Sequence, residues 1–201
     1  MGNAKRINRQ RRNNMIYVTS DQHFGHNNIL KYEPLRVSQG ATSLYVMQEI
    51  LINNWNKIVK PTDIVYELGD FYMGKSLEGL DNIISQLHGT IKFVKGNHDS
   101  RRNVNYLTKL GYEVQDLGYE IKYNHIHYFM SHYGMDLGGH SIDPSANHEG
   151  IRYNLHGHIH NSLYDDPKKI NICVDSPLDI VRNVPLGSPI SIETIDSFIR
   201  S

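Results

Sequence analysis

Five short motifs of aspartate, asparagine and histidine follow one another along the chain, and most of them come directly after an apolar, strand-like run. In order they are Asp21-Gln22-His23, Gly69-Asp70, Gly96-Asn97-His98-Asp99, His132 and Gly157-His158-Ile159-His160. The end of a strand holds a side chain more firmly than a loose loop does. Each motif alone is common in unrelated proteins, but the ordered series predicts one shared site in which carboxylates and imidazoles bind two metal ions.

The chain of 201 residues is long enough for one domain with a sizeable core, and no linker rich in Pro, Gly or Ser divides it. We therefore predict a single domain over residues 15–201. Residues 1–14 include five basic residues and no acidic one, which is typical of a disordered tail, with a nucleic-acid-binding arm as the alternative. The formal net charge of +0 gives the whole molecule no electrostatic preference for nucleic acid or a membrane.

Two further features bear on the compartment. Cys173 is the only cysteine, so no intrachain disulfide can form, and its place in an apolar run favours a buried thiol. No apolar run is long enough to span a membrane, and no hydrophobic segment of a signal peptide follows the basic start. We expect a soluble, cytoplasmic protein without a membrane partner.

The first half of the chain alternates between strand and helix patterns. Short apolar runs predict strands at Met15–Thr19, Ile64–Leu68 and Ile91–Val94. Apolar residues at spacings of three and four predict helices over 44–58 and 77–87, and a third helix is expected over Asn103–Leu110. This alternation predicts a parallel sheet covered by helices.

The second half contains mostly strand patterns joined by short connections. They cover Tyr112–Gln115, Tyr119–Tyr123, His125–Met130, Ile151–Leu155 and Ile170–Val174. We predict a mixed second sheet packed on the first, and a final helix over Ser191–Ile199. The glycine-rich stretch from Gly134 to Gly150 lies between two of the motifs, so it could form a wall or lid of the pocket.

The residue types in the motifs suit transition metals. Two metal ions a few ångströms apart need a shared anionic ligand, and Asp70 is the best candidate because Gly69 permits a close approach. Asp21 and His23 are expected to alternate along an extended segment, so both could face one ion. His158 and His160 repeat that alternation. Imidazole and carboxylate ligands suit Mn²⁺, Fe, Zn²⁺ or Ni²⁺ better than Mg²⁺ or Ca²⁺.

Three histidines belong to one predicted strand and its end. His132 lies on the apolar face of that strand and is interpreted as a ligand. His125 and His127 lie on the opposite face and are interpreted as partly solvated residues.

The Asn97-His98-Asp99 motif combines a ligand with a proton donor. The carbonyl oxygen of Asn97 could bind a metal without adding charge. A protonated His98 could donate to a phosphoryl oxygen or to a leaving alkoxide. Asp99 could orient that imidazole and stabilise its charged form.

These motifs resemble those of the calcineurin-like metallophosphoesterase superfamily, and the resemblance extends from Met15 almost to the C-terminus. Three strings are similar to those of a group of small bacterial and phage phosphoesterases: Ser20–Ile29, Tyr66–Phe71 and Asn171–Asp175. The resemblance implies an α/β fold, a four-layer αββα sandwich with two mixed β-sheets, and a site at one sheet edge.

The resemblance also implies a role for each motif. Seven side chains would bind two ions: Asp21, His23, Asp70 and His160 at the first, and Asp70, Asn97, His132 and His158 at the second. His98, paired with Asp99, would serve as acid or electrophile rather than as a ligand. A hydroxide that bridges the two metals would attack the phosphorus in line with the leaving oxygen.

Two departures from the family pattern affect loops that shape the pocket. Met73 stands where relatives often have a second Asp, and Gly134 stands where they frequently have Pro. Candidate substrate contacts are His26, Arg36, Asn97 and His156. The guanidinium of Arg36 could bind a phosphate, and His156 could instead orient a ligand.

We therefore expect a metal-dependent phosphoesterase that hydrolyses a small phosphorylated substrate, nucleotides included. Its cofactors would be two divalent ions, with Mn²⁺ first and Fe, Zn²⁺ or Ni²⁺ as alternatives. Phosphodiesters are favoured over monoesters because His98 could protonate a poor alkoxide leaving group. The alternatives are a nuclease assisted by the basic tail and a non-catalytic binding module on the same fold.

Overall fold

The computed structural model describes residues 14–137 and 152–201. The predicted basic tail before residue 14 and most of the predicted Gly134–Gly150 loop therefore lie outside the described residues. Within those residues the strands are β1 (Ile16–Thr19), β2 (Ile64–Glu67), β3 (Thr90–Val94), β4 (Glu113–Gln115), β5 (Tyr119–Tyr123), β6 (Ile126–Ser131), β7 (Arg152–His156), β8 (Lys169–Asn171) and β9 (Ile190–Ser191). The helices are α1 (Ile29–Tyr32), α2 (Pro34–Ser38), α3 (Leu44–Ile58), α4 (Leu77–Ile84), α5 (Arg101–Lys109), α6 (Asp179–Arg182) and α7 (Ile192–Arg200).

The strands form two mixed sheets. The first has the order β4-β3-β2-β1-β9, in which β9 alone is antiparallel to its neighbour. The second has the order β5-β6-β7-β8, with an antiparallel β5–β6 pair followed by parallel pairs. This confirms the predicted α/β class and the two mixed sheets.

The side chains of the first sheet alternate between two cores. Val65, Ile91 and Phe93 belong to the core shared with α3, α4 and α5, to which α3 contributes Trp55. The indole of Trp55 is 1% exposed, and its Nε1–H donates to the carbonyl of His88 at 2.9 Å. The helices therefore cover one face of the parallel strands.

The opposite face of the first sheet packs against the second sheet. Val18 and Tyr66 share the second core with Tyr128, Met130 and Leu155 of the second sheet. Apolar residues of α7 close this core at one side, among them Ile192 and Ile195. The two sheets therefore form a sandwich with apolar side chains between them.

Most predicted elements are present within a few residues of their expected bounds. The helix predicted over 77–87 ends at Ile84, and α1, α2 and α6 were not predicted. The strand predicted over Ile170–Val174 ends at Asn171 because the chain then crosses between the sheets. The amide of Ile172 donates to His156 of the second sheet, and the amide of Val174 donates to Ser20 beside the first.

In the described parts of the chain, no helix is both long and apolar enough to cross a membrane.

Candidate metal centre

The loops after β1, β2 and β3 lie together at one edge of the first sheet. Hydrogen bonds continue between the first two loops beyond the strands, from the amide of Asp21 to the carbonyl of Gly69 and from His23 to Asp70, both at 3.0 Å. The second sheet contributes the loops after β6 and β7, joined by a bond from the amide of Gly157 to the carbonyl of His132 at 3.1 Å. All five predicted motifs therefore meet where the two sheets adjoin.

The backbone of this site is unusual. Five candidate ligands have positive φ: Asp21 (62°), His23 (55°), Asp70 (58°), His158 (71°) and His160 (46°). The predicted extended alternation of the Asp21–His23 and His158–His160 pairs is therefore wrong. Left-handed conformations are uncommon for residues with a side chain and are unfavourable by about 1–2 kcal/mol each. In the described chain the other examples are Asn124 and His125 of the β5–β6 turn, so this strain is concentrated at the site.

Asp21, His23 and His160 form one group that could hold a metal ion, with ligand atoms within 4.8 Å of one another. The imidazoles of His23 and His160 are stacked, with ring centroids 5.1 Å apart. The Nδ1 of His23 lies 3.0 Å from the sulfur of Met73. The Nε2 of His23 is buried and has no hydrogen-bond partner among the described residues, so it could bind a cation.

A second group surrounds the amide of Asn97. Its Oδ1 lies 2.8 Å from the Nε2 of His132 and 2.8 Å from the Nδ1 of His158. The other ring nitrogen of His132 is 2.9 Å from the carbonyl oxygen of Leu68, which orients the ring. His132 also forms a metal-compatible group with Asp21 and Asp70.

Asp70 lies between the two groups. Its Oδ2 is 3.8 Å from the Nε2 of His23 and 3.5 Å from the Nε2 of His132. Its Oδ1 accepts a bond from the amide of His98 at 2.7 Å. This position is the one that a bridging carboxylate requires.

The electrostatics favour a bound cation. Burial lowers the pKa of His23 to about 2, so its imidazole is neutral and can act as a ligand. Burial raises the pKa of Asp70 to about 6; His132 opposes this shift and the carboxylate of Asp21 adds to it. Buried carboxylates at close range repel one another, and a divalent cation between them would relieve that repulsion. The residues present therefore fit metal ions.

Gly157 is one of the glycines at the site that leave no room for a side chain. A Cβ on Gly157 would lie against the Oγ of Ser20 and the Oδ2 of Asp21, well inside the 3.0 Å limit that real Cβ atoms respect. The close approach allows the amide of His158 to donate to both Asp21 oxygens, at 3.3 and 3.1 Å.

Asp99 does not have its predicted role. Its Oδ2 accepts bonds from the amides of Asp70 and Gly96, both at 2.8 Å, and its Oδ1 accepts one from Phe71 at 3.2 Å. The carboxylate therefore holds together the two loops that contain the candidate ligands Asp70 and Asn97, rather than pairing with the ring of His98. His98 itself is exposed beside the two groups, and its ring centroid lies 5.7 Å from that of His23.

Two predicted substrate contacts are wrong, because their side chains are fully buried. Arg36 is 0% exposed and forms an ion pair with Asp175, so it cannot reach a phosphate. His156 is 0% exposed, and its Nδ1 lies 2.9 Å from the carbonyl of Gly157, so it contacts the loop of the candidate ligands His158 and His160 instead. His26 is half-buried with its ring 5.4 Å from that of His23, and it stays a predicted contact together with the exposed Asn97.

The predicted solvent exposure of His125 and His127 is confirmed, although His125 precedes β6 and is not a strand residue. His125 is exposed in the β5–β6 turn and His127 is half-buried on β6, whereas His132 is 1% exposed within the site. Asp175 was not predicted, although it follows an apolar run as the ligands do. It belongs to a third group that could hold a metal, with His160 and Cys173, but its carboxylate is already engaged by Arg36.

No family model matches the chain. The chain is similar to an uncharacterized protein of Methanocaldococcus jannaschii, with 29% identity over 188 residues that cover 90% of this chain and 91% of that protein. The structure of this chain is similar to the crystal structure of a protein of unknown function from Aquifex aeolicus. The TM-score is 0.66 at 25% sequence identity, over 92% of this chain and 100% of the other. The similarity extends over nearly the whole fold, and neither description names an activity.

Proposed function

We propose that the protein is a metal-dependent phosphoesterase of the calcineurin-like superfamily with that family's four-layer αββα arrangement. One observation carries the proposal: two groups of imidazole and carboxylate ligands share Asp70 at the junction of the sheets, with His98 exposed beside them. The proposal is supported by the buried Nε2 of His23, which has no hydrogen-bond partner within the described parts of the chain. The substrate would be a small molecule that carries a phosphate ester.

The two groups divide the ligands between two sites. Asp21, His23 and His160 would hold one ion, Asn97, His132 and His158 the other, and Asp70 both. Divalent cations, with Mn²⁺ the first choice among Mn²⁺, Fe, Zn²⁺ and Ni²⁺, would offset the charge of the phosphate and make water a stronger nucleophile.

The proposed role of His98 follows from its position. Its main chain is held by the bond from its amide to Asp70, while its imidazole is exposed to an incoming substrate. From there the ring would donate a proton to the leaving oxygen, which matters most for the alkoxide of a phosphodiester. Asp99 would contribute by keeping the loops of Asp70 and Gly96 at a fixed separation.

The test is hydrolysis by the full chain after removal of metals and reconstitution with Mn²⁺, Fe²⁺, Zn²⁺ or Ni²⁺. Aryl phosphodiester and aryl phosphomonoester substrates report the chemistry. We expect turnover with at least one metal, a preference for the diester, and loss of both turnover and metal binding in Asp70→Asn. The matched control is Asp196→Asn, which removes a buried, paired carboxylate on α7 away from the site. Absence of turnover with every metal would contradict the proposal.

A further inference from the structure

A buried ion pair lies directly behind the first proposed metal site. The Nε and Nη2 of Arg36 donate to the Oδ1 and Oδ2 of Asp175 at 2.8 and 2.6 Å, which is the bidentate geometry of a guanidinium on a carboxylate. Both side chains are 0% exposed. Such a pair is weak evidence for stability, because the desolvation of two charges offsets much of their attraction. Its other contacts are therefore the more informative feature.

Through these contacts the ion pair touches Asp21 and His160, two proposed ligands of the same ion. The Nη2 of Arg36 also donates to the main-chain carbonyl of Asp21 at 2.7 Å, and its Nη1 donates to that of Gln22 at 2.8 Å. On the other side, the Oδ2 of Asp175 lies 2.9 Å from the Nδ1 of His160. The pair thus connects the left-handed turn of Asp21 with the ring of His160, although 139 residues separate Arg36 from Asp175.

A carboxylate at Nδ1 selects one form of the imidazole. Because a carboxylate can only accept, the Nδ1 of His160 carries the proton and its Nε2 presents a lone pair. Arg36 holds both carboxylate oxygens, so the carboxylate cannot rotate away from the ring. Two other groups lie farther from this Nδ1, a carboxylate oxygen of Glu33 at 3.6 Å and the Sγ of Cys173 at 3.7 Å.

We propose that Arg36 and Asp175 are positioning residues that fix the tautomer of His160 and the turn of Asp21, and so set the affinity of the first metal site. This inference rests on the proposed metal centre. The tautomer of His160, however, is a property of the metal-free protein and can be measured separately.

The first measurement needs no variant. Nitrogen-15 NMR of the metal-free chain, at a pH where the His160 ring is neutral, assigns its protonated nitrogen, with His160→Gln identifying the signal. We expect the proton on Nδ1. A proton on Nε2 would overturn the proposal, whether or not the protein binds metal.

The second measurement is Mn²⁺ binding by calorimetry. Asp175→Asn should weaken one of the two binding events by about 10–100-fold, the usual effect of removing a partner that orients a ligand. Asp196→Asn is the matched control, since Asp196 also pairs with an arginine, at 3.0 Å, but Arg200 is half exposed and lies on α7. In a His160→Ala background, Asp175→Asn should bring a clearly smaller further loss, because much of its effect passes through that ring.

A double variant tests the positioning role even if the single variant Asp175→Asn fails to fold. Arg36→Met with Asp175→Leu leaves neither charge unpaired, so it should fold, as replacements of buried ion pairs by apolar residues often do. It should show the same weakened binding event. Wild-type affinity in both variants, or an undiminished loss in the His160→Ala background, would overturn the positioning role. A wild-type chain that binds no Mn²⁺ would instead contradict the proposed function, and the NMR result would then decide the positioning.

Discussion

Gly157→Ala separates the geometry of the site from the stability of the fold. Gly157 does not have a positive φ, so alanine at this position avoids the penalty of a left-handed backbone. The added methyl group would instead collide with Ser20 and with the carboxylate of Asp21. Ordinary contact begins at 3.4 Å, so either Asp21 or the chain at Gly157 must move by about 1 Å.

A displacement of this size costs the core only moderate stability, but it is large compared with the tolerance of a metal–ligand distance. Overpacking by one methyl group destabilises a protein by about 1–3 kcal/mol. Metal–ligand distances are tolerated only within about 0.2 Å, so Asp21 and the neighbouring His158 could not both keep the proposed coordination. We therefore expect Mn²⁺ affinity to fall by at least about 100-fold, beyond the usual range for an orienting partner.

The assay is a calorimetric Mn²⁺ titration beside thermal unfolding of the metal-free protein. Gly111→Ala is the matched control. Gly111 has a φ of +93°, so alanine there is strained by about 1 kcal/mol, but a Cβ would meet nothing within 4 Å. We expect both variants to lose stability and only Gly157→Ala to lose metal affinity. Wild-type affinity in Gly157→Ala would refute the reasoning, and so would an equal loss in Gly111→Ala.

Three other outcomes are expected. His98→Ala should lower kcat by about 100–10,000-fold while calorimetry finds an unchanged Mn²⁺ stoichiometry; a lost binding event would make His98 a ligand instead. Because burial lowers the pKa of His23 to about 2, the unfolded chain binds this proton first, and the metal-free protein should lose stability as the pH falls below about 6.5. Urea unfolding at pH 7 and pH 5 measures this slope, which His23→Gln should reduce. Arg36→Met should destabilise the protein by about 3–5 kcal/mol in the same assay, because Asp175 keeps an unpaired buried charge; a loss below 1 kcal/mol would contradict that reasoning.

The elements that could be predicted are those with a local pattern of apolar residues in the sequence. Apolar runs of four or five residues mark β1, β2 and β3, and the three-and-four spacing marks α3. Since parallel strands end at the same sheet edge, the residues after them had to lie near one another. The order of the motifs was therefore enough to predict that the candidate ligands form one site.

The backbone of the site could not be predicted in the same way. Asp21 and His23 are left-handed because their amides bond to Gly69 and Asp70 of the adjacent loop, a contact between distant segments. Aspartate and histidine adopt a positive φ more often than most residues with a side chain but far less often than glycine, so the residue type is only a weak signal. An extended segment was the simplest expectation, and it was wrong for both pairs of ligands.

The supporting roles of Arg36 and Asp99 could not be predicted, for a related reason. An arginine at position 36 looks like a surface residue, and only the packing of α2 against the chain that crosses between the sheets buries it beside Asp175. As an acidic residue next to His98 in the sequence, Asp99 was expected to pair with that imidazole. Its carboxylate instead accepts three hydrogen bonds from main-chain amides, and these determine its role. Pairings across the fold decide such roles, and neighbours in sequence do not.

The positions of the ligands make the site a property of the whole sandwich. Asp21, His23, Asp70 and Asn97 belong to loops of the first sheet, whereas His132, His158 and His160 belong to loops of the second. Neither sheet alone brings together either proposed set of ligands. The distances between the sets are therefore set by the apolar core between the sheets and by the crossing at residues 172–174. Because packed cores resist small displacements, an arrangement in which both sheets contribute candidate ligands would hold the two proposed ions at a defined separation, as the proposed in-line displacement at phosphorus requires.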